Sequence, residues 1–139
     1  MADYVDYVET TLLRHGTADP LTIAAERGIF ISYQELPTNF RAIVFGIPEL
    51  IIVNAVIQPP RQLAAIAHCL GHYIMHGVIR PRIEEDIYWR MEPDRIADRF
   101  ATLLLSYYYH IKPDNYIALM DKPCLPAALF NQAILSMAN

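Results

Sequence analysis

The chain has 139 residues, 54% of them hydrophobic, and a formal net charge of −4 at neutral pH. This length predicts a single domain over residues 1–139, with enough apolar side chains for a core of its own. The mildly acidic balance makes direct binding to nucleic acid unexpected, although several arginines between residues 80 and 99 could form a local basic patch.

The expected setting is the reducing cytoplasm. Two cysteines, Cys69 and Cys124, are too few for a disulfide framework. No basic segment followed by an apolar run stands at the N-terminus, so no signal peptide is expected. The longest apolar stretch, residues 42–57, is interrupted by Pro48 and polar residues, which argues against a membrane span.

Two helices are predicted near the N-terminus. Residues 3–14 show the periodicity of an amphipathic helix, which Gly16 ends. Its apolar side is formed by Val5, Val8, Leu12 and Leu13. Asp19 and Pro20 then supply the N-cap and first residue of a shorter helix that ends near Glu26.

Three short β-rich runs follow, at residues 29–33, 42–45 and 50–54. Residues 46–49 read as a turn, so the second and third runs are predicted to form a hairpin. Because the strands cluster together and do not alternate with helices, the predicted class is α+β, a small antiparallel or mixed sheet with helices packed on it.

Two longer helices are predicted in the second half of the chain. Pro59 opens one that runs to about His76, and Pro93 opens another that runs to about Tyr108. The charged stretch between them, residues 77–92, is predicted to be irregular. The apolar segment 126–137 is predicted to be a further short helix.

Histidines and carboxylates occur in pairs on these two helices. His68 and His72 are one helical turn apart and project from one face, which is the arrangement that a metal ion requires of two imidazoles. Asp94 and Asp98 repeat that spacing on the second helix. We predict zinc ligation by His68, His72 and Asp94, with Asp98 accepting a hydrogen bond from a ligand imidazole. His76, one turn further on, is an additional candidate ligand.

Each feature also has a simpler interpretation. Two histidines at this spacing arise readily by chance, and an acid such as Asp94 is favoured in any first helical turn by the helix dipole. Asp98 could instead face solvent and pair with Arg95 or Arg99, and His76 could be a helix-end residue. The occurrence of both pairs in one short chain favours the metal site.

The same motifs resemble the ImmA/IrrE-type neutral zinc metallopeptidases, a zincin-like family. Residues 68–72 read His-Cys-Leu-Gly-His, where that family has His-Glu-Leu-Gly-His. Residues 94–105 resemble its Glu-x-x-Ala-Asp-x-Phe-Ala-x-x-Leu-Leu helix. The resemblance covers about residues 5–110 and implies a zincin-like fold that holds zinc.

Three departures from the family pattern affect what the resemblance implies. Cys69 stands where the family has its general-base glutamate, Asp94 is shorter than the usual ligand glutamate, and Ser106 replaces a proline. General-base catalysis is worth about 10²–10⁴-fold. A thiol is shorter than glutamate, and near zinc it tends to lose its proton and bind the ion itself.

Three functions are therefore compatible with the sequence. The first is a degenerate metallopeptidase-like protein that binds a protein partner, such as a helix-turn-helix repressor of a phage or mobile element, with little or no proteolysis. The second is an active zinc-dependent endopeptidase that cleaves such a repressor. The third is a metal-free interaction domain. In the first two, residues 51–57 are the predicted sheet edge to which an extended partner segment would add.

Overall fold

The protein is described by a computed structural model over residues 3–85 and 92–112. Within these ranges the helices are α1 (Tyr4–His15), α2 (Pro20–Glu26), α3 (Pro59–Gly71), a π-helical turn (His72–His76) and α4 (Glu92–Tyr109). The strands are β1 (Phe30–Gln34), β2 (Phe40–Phe45), β3 (Leu50–Asn54) and β4 (Arg82–Glu85). The predicted α+β class is confirmed. Cys124 and the predicted helix 126–137 lie outside the described residues.

The helix α1 begins and ends through local capping. Asp3 accepts a hydrogen bond from the Asp6 amide at 3.1 Å, and the Asp6 carboxylate accepts one from the Asp3 amide at 3.3 Å. Gly16 ends the helix in the left-handed conformation, at φ 66°. Leu13 was wrongly placed on the apolar side, since it is 87% exposed. Thr11 is buried instead, with its hydroxyl bonded to a carbonyl of the preceding turn.

The four strands form one mixed sheet in the order β1-β3-β2-β4. The hairpin of β2 and β3 is confirmed, and β1 pairs with β3 in parallel. The prediction of an edge strand in residues 51–57 is therefore wrong, because β3 is hydrogen-bonded on both sides. Its β-branched side chains at Ile51 and Val53 are fully buried, as suits a central strand.

The fourth strand was not predicted from the sequence. β4 lies in the segment predicted to be irregular and pairs antiparallel with β2. In most strands the apolar side chains face inward and the charged ones face solvent. β4 has the opposite arrangement, because Ile83 is 54% exposed and Glu84 only 4% exposed. The pairing is irregular between Phe40 and Ala42, so Arg41 lies at a bulge beside β4.

The helices α3 and α4 pack closely against each other, and α3 also lies against β2 and β3. A Cβ placed on Gly71 would lie 3.2 Å from both the Cα and the carbonyl oxygen of Ala97. This close approach, together with the buried Phe100 and Leu104, holds the end of α3 beside the start of α4. None of the described helices is both long enough and apolar enough to span a bilayer.

Candidate metal centre

The last turn of α3 and the π-helical turn carry the two imidazoles. His68 and His72 are 1% and 0% exposed, and their Nε2 atoms lie 3.1 Å apart. Both nitrogens therefore point at one small volume inside the protein. The change from α-helix to π-helix begins at His72, and such short π segments are frequent at functional sites.

The first turn of α4 places a carboxylate against this pair. Asp94 Oδ1 lies 3.1 Å from His72 Nε2 and 3.8 Å from His68 Nε2. The three residues predicted to be metal ligands are thus brought together by the packing of α4 on α3.

Asp98 lies where a carboxylate that orients a ligand imidazole would lie. His68 Nδ1 donates to Asp98 Oδ1 at 2.6 Å, which leaves His68 Nε2 as the nitrogen that faces His72. Arg41, buried at the bulge of β2, lies with Nη2 3.7 Å from the same Asp98 oxygen. Arg41 could not be predicted from the sequence, because its position beside Asp98 depends on a bulge that arises from the pairing of β2 with β4.

A fourth potential ligand, Glu84, was missed in the sequence. Its Oε2 lies 3.1 Å from His68 Nε2, and its Oε1 lies 3.3 Å from His72 Nε2. Glu84 reaches the imidazoles because it is on the inner face of β4. A strand of four residues is too short to show a clear alternation of polar and apolar residues, so the sequence does not reveal that Glu84 faces inward. The segment is recognisable from its sequence only as charged.

Arg82, two residues before Glu84 on the same side of β4, contacts both carboxylates from outside. Its Nη2 donates to Asp94 Oδ1 at 2.8 Å, and its Nε lies 3.4 Å from Glu84 Oε1. The guanidinium therefore holds the two carboxylates in place and offsets part of their mutual repulsion.

The pKa values of the cluster favour ionised carboxylates. Burial opposes ionisation of Asp94, but the hydrogen bond with His72 and the charge of Arg82 outweigh it and lower the pKa to about 2. The pKa of Glu84 is also lowered, since contact with His68 outweighs burial. Burial lowers the pKa of His72, whereas at His68 the Asp98 carboxylate outweighs burial and raises the pKa.

The donor set fits a divalent cation. His68, His72, Glu84 and Asp94 each offer one ligand atom, and these atoms all lie within 4.8 Å of one another. Within the described residues Glu84 Oε1 is buried and makes no hydrogen bond, because its contact with Arg82 Nε at 3.4 Å is an ion pair only. Such a buried carboxylate oxygen can accept a metal ion as a further partner. Two imidazoles and two carboxylates suit zinc and other borderline divalent ions.

Cys69 and His76 do not join this group. Cys69 is 0% exposed and lies in the hydrophobic core, and burial raises the pKa of its thiol well above the usual value. Its sulfur is not among the clustered ligand atoms of the described residues. The His76 ring is exposed, and its centroid lies 5.6 Å from that of the His72 ring. Because residues 72–76 form a π-helical turn, His76 does not continue the α-helical alignment of His68 and His72.

Comparison of the chain with family models, with curated proteins and with solved structures found no match. The resemblance to the ImmA/IrrE-type metallopeptidases therefore rests on the sequence motifs alone, which are the two helix motifs, the helix entry at Arg61 and Gln62, and the strand at residues 51–54.

Proposed function

We propose that the chain is a degenerate, metallopeptidase-like zinc protein that binds a protein partner and cuts it little or not at all. His68, His72 and Asp94 hold the ion in this proposal, and Asp98 orients the imidazole of His68. The positive charge of the ion offsets the repulsion between the imidazole nitrogens and the carboxylate oxygens that meet at this point.

One observation carries the metal part of the proposal. Two buried imidazole Nε2 atoms lie 3.1 Å apart and face the same carboxylate oxygen of Asp94. A single proton cannot bridge three such atoms at once, whereas a cation at their centre can contact all of them. Zinc is favoured because it binds nitrogen and carboxylate oxygen at tetrahedral spacing.

The residue at position 69 supports the part of the proposal that concerns weak or absent proteolysis. The thiol of Cys69 lies in the core and keeps its proton, so it does not supply the base that the resemblance assigns to this position. The partner class, a helix-turn-helix repressor of a phage or mobile element, follows from the same resemblance. Among the described strands β4 is the outer one beside the centre, so an extended partner segment would add there.

Zinc titration followed by metal analysis tests the centre. We expect one zinc per chain for the wild type and loss of tight binding in His72→Ala and Asp94→Ala. His110→Ala is the matched control, because His110 is exposed at the end of α4 and distant in sequence from the cluster. Failure of the wild type to retain any divalent ion would overturn the proposal and leave a metal-free interaction domain.

The active endopeptidase is the second candidate, and Glu84 is the observation that favours it. A carboxylate from β4 lies beside the two imidazoles although the motif itself lacks one. Incubation of the zinc-loaded protein with a candidate repressor separates the two functions. Binding without fragments supports the first, and zinc-dependent fragments that disappear on chelation support the second.

A further inference from the structure

The position of Glu84 relative to the two imidazoles decides what this residue does. Its carboxylate is 4% exposed and directs one oxygen at each ring, at 3.1 Å from His68 Nε2 and 3.3 Å from His72 Nε2. Ligand atoms bound at about 2.0–2.1 Å to a tetrahedral ion lie about 3.3–3.4 Å from one another. The separations of Glu84 from both rings match that spacing.

The two imidazoles and Asp94 show the same spacing among themselves. Their measured separations are 3.1 Å, 3.1 Å and 3.8 Å. Glu84 therefore lies as close to the two rings as Asp94 does, with one oxygen for each ring where Asp94 uses Oδ1 for both. One ligand atom from each of the four residues lies within 4.8 Å of the other three.

A general base would stand further away. Such a base acts on a water molecule, and a hydrogen bond of about 2.6–3.2 Å separates the base from that water. The oxygens of Glu84 instead contact both rings directly, at the spacing of ligand atoms rather than at the distance of one intervening water molecule.

Arg82 reinforces this placement. It contacts Glu84 Oε1 at 3.4 Å and Asp94 Oδ1 at 2.8 Å, so it pins the two carboxylates to each other across the cluster. Outer partners of this kind orient the side chains that hold a metal ion.

We infer that Glu84 is the fourth protein ligand and closes the coordination sphere. The inference rests on the proposed function. It implies a centre of the structural type, with His68, His72, Glu84 and Asp94 as a complete tetrahedral set and no open position. The protein is then inactive because a ligand occupies the reactive position, and Cys69 is a secondary difference from the family.

Cobalt substitution tests the inference, because the visible spectrum of Co²⁺ reports coordination number without any assay of activity. We expect the Co²⁺-loaded wild type to show intense four-coordinate bands that added azide leaves unchanged. Glu84→Ala should bind Co²⁺ at least about 10-fold more weakly, and its spectrum should change on addition of azide, which enters the vacated position.

Glu85→Ala is the matched control, because Glu85 is the next residue on β4 and its carboxylate contacts Asn39 rather than the cluster. It should behave as the wild type does. Glu84→Gln provides a near-isosteric variant if the alanine variant folds poorly, and it should also bind Co²⁺ more weakly.

Three outcomes would overturn the inference. A wild-type spectrum that responds to azide shows an open position, and an unchanged affinity in both Glu84 variants shows that the carboxylate is not a ligand. Loss of zinc-dependent cleavage in Glu84→Gln with full retention of Co²⁺ would identify a base. A wild type that binds no Co²⁺ and no zinc would instead overturn the proposed function, so the two failures are distinguishable.

Discussion

Cys69 behaves in this structure as a small hydrophobic residue. It is fully buried among aliphatic side chains, and a thiol whose pKa is raised by burial retains its proton at neutral pH. A protonated thiol is a poor base and a poor metal ligand. Cys69 therefore supplies neither a base nor a ligand to the metal centre.

Cys69→Ala should leave zinc stoichiometry and affinity unchanged and lower the free energy of unfolding by about 1 kcal/mol. The loss corresponds to one buried group of roughly methylene size and the small cavity that remains. Zinc titration and denaturant unfolding of the two proteins measure the two effects separately. A large fall in zinc affinity would contradict the placement of Cys69 outside the centre.

Asp98 controls the imidazole of His68 through the 2.6 Å hydrogen bond to Nδ1. Asp98→Asn should weaken zinc binding by about 10–100-fold, the usual effect of losing a partner of a ligand histidine. Glu92→Gln, an exposed acid in the first turn of the same helix, is the control and should bind zinc as the wild type does.

The pH dependence of zinc binding should change in the same variant. Because the pKa of His68 is raised in the metal-free protein, the ring keeps its proton to higher pH, and zinc has to displace that proton. Affinity should therefore fall as pH falls, by about tenfold per pH unit for one displaced proton. Asp98→Asn lowers the pKa of His68, so the fall should begin at lower pH. Isothermal titration across pH measures both curves, and coincident curves would count against the role of Asp98.

The contact of α3 with α4 at Gly71 sets the geometry of the centre. An added Cβ would lie 3.2 Å from two backbone atoms of Ala97, and backbone yields less readily than a flexible side chain. Alanine is favoured over glycine within a helix by about 1 kcal/mol. Overpacking costs about 1–3 kcal/mol, so the steric effect should outweigh the helix preference.

Gly71→Ala should therefore lower both the thermal midpoint and zinc affinity, because the helices that carry His72 and Asp94 move apart. Thermal unfolding and zinc titration of the variant check the two effects. An increase in the thermal midpoint with unchanged affinity would show that the helix contact adapts without moving the ligands.

Helices and strands could be predicted from the sequence where hydrophobic periodicity, capping residues and turn residues indicated the same boundaries. Asp19 caps α2, Pro59 begins α3, and β3 has the predicted bounds, because each depends on neighbouring residues. β4 and the parallel pairing of β1 with β3 depend on distant contacts that no local pattern encodes. The spacing of residues along a helix is a local pattern, so the sequence predicts the helical residues of the centre: His68, His72, Asp94 and Asp98. It does not predict Glu84 and Arg41, because their positions depend on the pairing of β4 with β2.

At the scale of the whole molecule, the centre joins three separate elements. The clustered residues come from α3 with its π-helical turn, from β4 and from α4. A ligand that binds only the folded state stabilises it, by about 4 kcal/mol at a free concentration 1,000 times the dissociation constant. Most of that stabilisation should be lost when the ion is removed.

Chelation should accordingly lower the thermal midpoint of the zinc-loaded protein by about ten degrees, and restored zinc should reverse the change. Scanning calorimetry with and without a chelator measures the shift. His72→Ala is the control and should show no response to zinc. An equal shift in the variant and the wild type would indicate that zinc acts elsewhere on the chain.

The reversed polarity of β4 creates a competition between two alignments of that strand. A slip of one residue along β2 would turn Ile83 inward and carry Glu84 and Arg82 out to solvent. Full burial of an isoleucine gains up to about 3 kcal/mol, so the hydrophobic effect favours the slipped alignment. The contacts of Glu84 and Arg82 with the imidazoles and Asp94 favour the native one, and an ion bound to Glu84 would add the strength of a coordination bond. The centre thus selects which side of β4 the protein buries.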